Sequence, residues 1–542
     1  MADPVEELSS AVIAAAESLG GGGPVRPTLE RPPNTDLGDY STNAAMMLAG
    51  ALKQPPREIA QRLGDALADR LGEAVERVEV AGPGFLNMYM ADDWCRAAAA
   101  ATLKAGEAYG STRPETAERV NVEFVSANPT GPITVAAGRH AAYGDSLCRI
   151  LELAGSAVDR EYYVNDYGGQ VQRFAASIRA RAMGEEPPED GYQGEYVKEV
   201  AERIEGAAEL EDDELAKRGV AIMLEAVQTT LKRFRVEMDR FSSERALQEG
   251  GAVDAVIERL REHGHVYESD GAVWLRSTDF GDDKDRVLRR SNGEKTYFAA
   301  DIAYHEDKRE RGYDHVVDVL GADHHGYLGR MKAAWQALGG DPARLEQVTM
   351  QLVNLLENGQ RAQMSKRGGQ FVTLDELIDD IGVDATRWFL VQRGPDTTLD
   401  VDLDLARKHS QDNPVYYAQY AHARIASILR KAGGEQRVAA ALAADLAASP
   451  EQLHPSAREL IKKLLELPEE VRIAAERRAP HRIAVYVTEV AQSFSAFYRD
   501  CKVVGAAEEG GDEDLRIAFC ELTRRVIARS LDLLGVEAPA EM

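Results

Sequence analysis

The stretch Val122–Asp145, VEFVSANPTGPITVAAGRHAAYGD, decides how this chain is read. It opens as an apolar run suited to a buried strand, breaks at Asn128-Pro129-Thr130-Gly131-Pro132, and resumes as an Ala-rich, helix-prone segment. A strand that turns through Pro and Gly into a helix points backbone N–H groups at whatever lies over that helix's N-terminus, a place that suits a phosphate. The glycines do not follow the GxGxxG spacing, which disfavours a dinucleotide dehydrogenase. By itself the stretch fits an ordinary βα turn as well as it fits a nucleotide site.

Outward from that turn, strands alternate with helices: VDREYYVND and GGQVQRFAASIRARAMG, then HVVDVLG and GRMKAAWQALGG. Alternation of this kind implies a parallel sheet with crossover helices and a ligand crevice at the carboxyl ends of the strands. An acidic stretch at about 184–285 interrupts it and is read as a helical insertion. Before it, residues 1–112 read as a small α+β module. REIAQRLGDALADRL has helical apolar spacing there, and VERVEV and FLNMYM form two strands around a Gly-Pro-Gly turn. After about Asp402 the strand patterns stop, and NPVYYAQYAHARIASILRKA and DLRIAFCELTRRVIARSLDLLG belong to an all-helical bundle. The expected architecture is therefore an α/β domain over 113–400 between an α+β module and a bundle over 401–542.

Composition narrows the class. The chain has 542 residues, 29% of them charged, with a net charge of −27. From Arg407 onward, however, 19 Lys and Arg face 20 Asp and Glu, so the excess acid lies earlier. A polyanionic partner is best placed on that last quarter, where bulk repulsion is least. Cys95, Cys148, Cys501 and Cys520 are widely separated with no CxxC pair, which argues against a zinc site or disulfides and for a reducing cytoplasm. The start, MADPVEELSSAVIAAAESLG, is not a secretory signal. No apolar run approaches the roughly 20 residues needed to span a bilayer.

A second motif gives the turn its meaning. RAQMSKRGGQFVTLDELI sets Met-Ser-Lys-Arg-Gly-Gly in a loop from which Lys366 and Arg367 reach polyphosphate, although a basic glycine loop alone is usually a solvated turn. The two motifs resemble the HIGH and KMSKS signatures of class I aminoacyl-tRNA synthetases. The words VEFVSANPTGP, YYVNDYGGQ, YFAADIAYHEDK, MSKRGG, GVDATRWFL and NPVYYAQYAHARI narrow the resemblance to the arginyl-tRNA synthetase family, over nearly the whole chain.

That resemblance implies a Rossmann-like class I catalytic domain, a DALR-type anticodon-binding bundle, and an N-terminal module (matching word NTDLGDYSTNAA) that touches the outer corner of the tRNA. It implies ATP-dependent activation of arginine and transfer to arginine tRNA, with Mg²⁺ arriving on the ATP phosphates and no metal site of the protein's own. Glu123, Asn128, Tyr297, Asp301 and His324 match the arginine pocket. A planar guanidinium with five donors calls for carboxylates and flat walls. Pro132, Thr134, Ala137, Gly138, Asp323, Met364 and Lys366 match the ATP site, and Lys366, Ser365 and Thr134 the catalytic positions. Tyr416, Tyr417 and Tyr420 offer rings for splayed anticodon bases, and Arg516, Arg524, Arg525 and Arg529 share much of one helix face. A monomeric cytoplasmic enzyme is expected.

Both signatures depart from the family pattern. Thr134 and Ala137 stand where HIGH has its histidines, Ala136 where it has glycine, and Gln363 where KMSKS has its first lysine. The rival reading is therefore a catalytically silent, tRNA-binding paralogue.

Overall fold

The structure, a computed structural model, describes residues 3–20, 26–32, 34–111, 117–362 and 372–542. In the N-terminal part, β1 (Leu29–Glu30), β2 (Tyr40–Thr42), β3 (Val75–Ala81) and β4 (Phe85–Met90) form an antiparallel sheet in the order β1-β2-β4-β3. The Gly-Pro-Gly turn closes the β3–β4 hairpin, with Ala81 opposite Phe85. The helix Pro56–Leu71 buries Ile59, Leu63 and Leu67 at fourfold spacing against this sheet.

The central sheet joins β5 (Arg119–Glu123), β6 (Ala157–Val164), β7 (Arg240–Ser243), β11 (His315–Gly321) and β12 (Leu345–Met350), all parallel, in the order β12-β11-β5-β6-β7. Strand β5 lies in the middle, and four of its five residues are buried, as its apolar run requires.

The 184–285 stretch is not wholly helical. It carries the helices Tyr196–Arg203 and Asp212–Arg233, but β7 within it is an edge strand of the central sheet. Strands β8 (Val266–Ser269), β9 (Ala272–Leu275) and β10 (Arg286–Arg289) add a small antiparallel sheet. The β8–β9 turn is Asp270-Gly271, both at positive φ, a tight hairpin signal hidden in an acidic setting. A fourth sheet pairs β13 (Val353–Glu357) with β14 (Gln360–Arg361) and with β15 (Leu399–Asp402).

Beyond β15 the described chain is helical, with Pro414–Lys431, Pro455–Leu464, His481–Asp500 and Glu513–Leu533 packed around Leu460, Val487, Phe494 and Ile527. The N-terminal module docks on this bundle. Buried Asp39 accepts from Lys462 Nζ (2.7 Å), Arg458 Nη2 (2.9 Å) and the Met90 amide (2.7 Å). No helix among the described residues is long and apolar enough to cross a membrane.

One buried guanidinium ties the parts together. Arg387, in the helix Leu374–Val391, donates to Leu534 O and Phe234 O (each 2.8 Å) and to Asp145 Oδ2 (2.6 Å). Asp145 belongs to the helix Val135–Leu153, Phe234 ends Asp212–Arg233, and Leu534 ends the bundle's last helix.

Candidate active site

The site begins where β5 ends. After Glu123 the backbone turns sharply, with Val125 (φ 70°) and Ser126 (φ 38°) in the left-handed region. A β-branched residue there stores on the order of 1–3 kcal/mol of strain, which the surroundings must hold. They do so with side chains: Ser126 Oγ donates to Glu123 Oε1 (2.9 Å) and accepts from the Tyr163 amide (3.1 Å), and Tyr162 OH donates to Ala127 O (2.7 Å).

The chain then enters the helix Val135–Leu153 at Thr134, whose Oγ1 accepts from the Ala137 amide at 3.3 Å. Two close approaches fix this helix. A Cβ on Gly138 would lie 2.7 Å from Leu374 Cδ1, and one on Gly144 2.2 Å from Phe124. The start of the Leu374–Val391 helix is stitched alongside by Val135 N to Val372 O (3.1 Å) and Leu374 N to Ile133 O (2.8 Å). Thr373 caps that helix in a reciprocal box with Glu376. Two helix N-termini thus open on one cavity of about 520 Å³, lined by Asn128, Pro132, Thr134, Thr373, Tyr192 and Tyr196. The insertion forms its outer wall, and Tyr196 OH donates to Thr130 O (3.0 Å).

The Ala137 and Gly138 amides do not face an empty cradle, because the Thr134 side chain and carbonyl already accept from them (3.3 and 2.8 Å). The cap that replaces a histidine takes up those donors. The Thr134 hydroxyl proton and the Ala136 amide remain without a partner among the described residues. Asn128 is exposed, and its Oδ1 accepts from Asn165 Nδ2 (3.0 Å).

Beside this turn lies an acidic cluster. Asp301 sits on the helix Tyr297–Glu310, and its backbone carbonyl accepts from His305 Nδ1 (2.8 Å). The other ring nitrogen of His305 meets Asp318 Oδ2 (2.9 Å). With an acceptor at each nitrogen the ring is an imidazolium. Burial opposes that charge, but Asp318 outweighs it and holds the histidine pKa above its ordinary value. Lys308, fully buried, donates to Glu123 Oε2 (2.6 Å) and Asp318 Oδ1 (2.9 Å).

Burial, then the carboxylates of Glu244, Asp301 and Glu123, push the Tyr163 hydroxyl far up, and its oxygen is buried without a hydrogen-bond partner among the described residues. Glu244 is buried, no described cation pairs with it, and burial followed by repulsion from Asp301 raises its pKa to about 7. Tyr297, by contrast, is 62% exposed and lines the outer side of this region with Glu244, Gln248 and Lys295.

Glu244, Tyr163 and the Lys308–His305–Asp318 network were missed from sequence. Lys308 and His305 stand in the same word as Asp301, at helical spacing from it, and that was the available signal. The side chains of Asp323 and His324, and all of Met364, Ser365 and Lys366, lie outside the described residues. No group of three or more metal-ligating side chains occurs among the described residues.

On the bundle, Tyr416 and Tyr420 stack nearly parallel (6.2 Å between centroids, 7°), with Tyr420 exposed. Tyr417 turns inward, its hydroxyl 3.3 Å from Ser495 Oγ. The arginines expected to form a basic face are already engaged. Arg516 is paired with Glu451, Arg524 and Arg525 with Glu521, and Arg529 with Glu107. Spacing placed them on one helix, but each is paired with a carboxylate from a neighbouring element or the same helix, Arg524 and Arg525 sharing Glu521. Arg424, exposed over the Tyr498 ring (4.6 Å), has no carboxylate partner among the described residues.

Comparison with known proteins accords with this layout. Residues 6–90 match the model of the arginyl-tRNA synthetase N-terminal domain, 99–427 that of the class I (R) tRNA synthetase catalytic domain, and 418–542 that of the DALR anticodon-binding domain. An arginine–tRNA ligase of Frankia alni is 46% identical over 99% of both chains. One from Bacillus subtilis is 45% identical over 99% of this chain and 98% of its own. The solved arginyl-tRNA synthetase of Thermus thermophilus superposes with a TM-score of 0.78 at 26% identity, covering 99% of each chain.

Proposed function

The chain belongs to the arginyl-tRNA synthetase family, and from that premise we propose how its residues carry the reaction. It is an arginine–tRNA ligase: arginine, ATP and arginine tRNA are its substrates, and the DALR bundle is its anticodon-binding domain. Activation joins the arginine carboxylate to the α-phosphate of ATP and releases pyrophosphate. A hydroxyl of the terminal tRNA adenosine then attacks the arginyl carbonyl and releases AMP.

The observation that carries the assignment of roles is the placement of carboxylates on one side of the β5 turn and two helix N-termini on the other. Asp301, Glu123 and Glu244 receive the guanidinium, with Tyr163 and Tyr297 beside it, and Lys308 fixes the Glu123 carboxylate through a charge-assisted bond. Asn128 holds the α-amino acid end, and His324 and Asp323 complete the substrate and adenosine contacts. Pro132, Thr134, Gly138 and Met364 frame the triphosphate, Ser365 belongs to the KMSKS-type signature, and Lys366 stabilises the leaving pyrophosphate. Mg²⁺ comes on the ATP phosphates and keeps most of its waters. Tyr416 and Tyr420 stack anticodon bases. The domain limits 1–112, 113–400 and 401–542, a monomeric state and a cytoplasmic location complete the proposal.

In the absence of the two signature histidines, the Thr134 hydroxyl is the side-chain donor left at the start of the helix Val135–Leu153. Its oxygen accepts from Ala137 while its proton remains to donate to a phosphate oxygen. Thr134→Ala should slow single-turnover arginyl-adenylate formation by roughly tenfold or more, and Thr134→Ser should restore most of the rate. An unchanged rate in Thr134→Ala would remove Thr134 from the chemistry. Loss of the cap costs about 1 kcal/mol of stability, so the folded fraction is measured alongside.

Glu244 gives the arginine site a pH dependence with a definite sign. Its pKa of about 7 means that it is neutral below that pH and ionised above it. A guanidinium binds the ionised form better, so KM for arginine should fall by about tenfold as pH rises from 6 to 8, and Glu244→Gln should flatten the profile. A KM independent of pH in the wild-type protein would contradict the assignment.

A further inference from the structure

Apart from the reaction cavities, the loop 392–397, the turn 477–480 and the start of the helix His481–Asp500 enclose a cavity of about 760 Å³. It opens beside the carboxyl end of β12. Gln351, the next residue, donates its amide to Pro395 O (2.8 Å), and its carbonyl accepts from buried Arg139 Nη1 (2.7 Å). The cavity therefore lies on the side of the parallel sheet where the strand ends gather around the reaction site.

Its lining is basic: Arg393, Arg477, Arg478, Arg482 and His481 face a single carboxylate, Asp396. Arg478 and Arg482 are held in two-pronged pairs with Glu346 and Glu470. Arg393 and Arg477 are exposed and have no side-chain partner among the described residues, and His481 Nδ1 is buried without one. In a chain of net charge −27, uncompensated guanidiniums from two elements converging on one opening form a local attractor for polyanions.

We propose that this junction between the catalytic sheet and the bundle is a docking point for the phosphodiester backbone of the tRNA, with Arg393 and Arg477 as its phosphate contacts. The inference rests on the ligase reading. Two free cations on separate elements of an open cavity fit successive phosphates of a strand better than one enclosed anion, and phosphate contacts set register without reading sequence. They also differ from Arg516, Arg524, Arg525 and Arg529 of the bundle, each of which is held in an ion pair with a carboxylate.

The test is tRNA binding by the full-length protein carrying Arg393→Ala and Arg477→Ala together, measured by anisotropy at several salt concentrations. The expected result is an affinity lowered about tenfold or more and a slope of log K against log salt smaller by about two units. KM for arginine and ATP should be unchanged, and the lysine double variant should recover most of the affinity. Unchanged affinity and slope in a folded double variant would overturn the proposal. So would loss of inorganic phosphate binding without loss of tRNA binding, which would mark a small-anion site. If the wild-type protein charges arginine tRNA while the variant binds it normally, this inference fails and the ligase reading stands.

Discussion

Asp301→Asn is expected to lower kcat/KM for arginine by on the order of 100-fold or more, about 3 kcal/mol, while KM for ATP stays within about twofold. The substitution preserves shape and the helix, because the His305 bond to residue 301 is made by the backbone carbonyl. What it removes is a formal charge beside Glu244 and Tyr163. The guanidinium then loses a charge-assisted partner and is left poorly satisfied. Steady-state kinetics with arginine and ATP varied separately checks this, and equal effects on the two apparent affinities would make Asp301 a structural residue.

Arg387→Ala is expected to lower the stability of the folded protein by about 3–5 kcal/mol. The side chain is fully buried, and its loss strands the carbonyls of Leu534 and Phe234 and leaves Asp145 with Arg149 and Arg160 only. Asp145 is held below the usual carboxylate range despite burial, because Arg387 and Arg149 stand beside it. Arg387→Lys should not rescue, since one ammonium cannot span three acceptors set in a plane. Denaturant unfolding reads the change, and a midpoint shift worth less than about 1 kcal/mol would show that the junction between insertion, sheet and bundle does not depend on this residue.

The fold is legible in the sequence where the pattern is local and regular. The β5 run, the Gly-Pro-Gly hairpin and the long amphipathic bundle helices each announced themselves through periodicity or turn chemistry. Strand β7 did not, because four residues on a sheet edge, RFSS, carry almost no apolar signal. The Asp270-Gly271 hairpin was legible but was read as part of an acidic insertion. In the candidate site, Glu123, Asn128 and Thr134 lie along the segment from the end of β5 to the helix Val135–Leu153, and Asp301 stands on the helix Tyr297–Glu310. Glu244 could not be found from spacing, since more than 100 residues separate it from Glu123 and only the parallel β5-β6-β7 order brings it back. The bundle arginines show the converse limit. Helical spacing put them on one helix, but whether a cation is free depends on which carboxylates pack against it, and Glu451, Glu521 and Glu107 were not visible from that helix's period.

The central claim is that a phosphate cradle built on Thr134, without either signature histidine, supports catalysis. The most direct measurement is aminoacylation by the purified wild-type protein, given ATP and a tRNA mixture with each of the twenty amino acids in turn. The account predicts charging of arginine tRNA with arginine alone. Tight binding of that tRNA with no arginyl-tRNA formed would contradict it and would identify the chain as a silent relative of the enzymes it resembles.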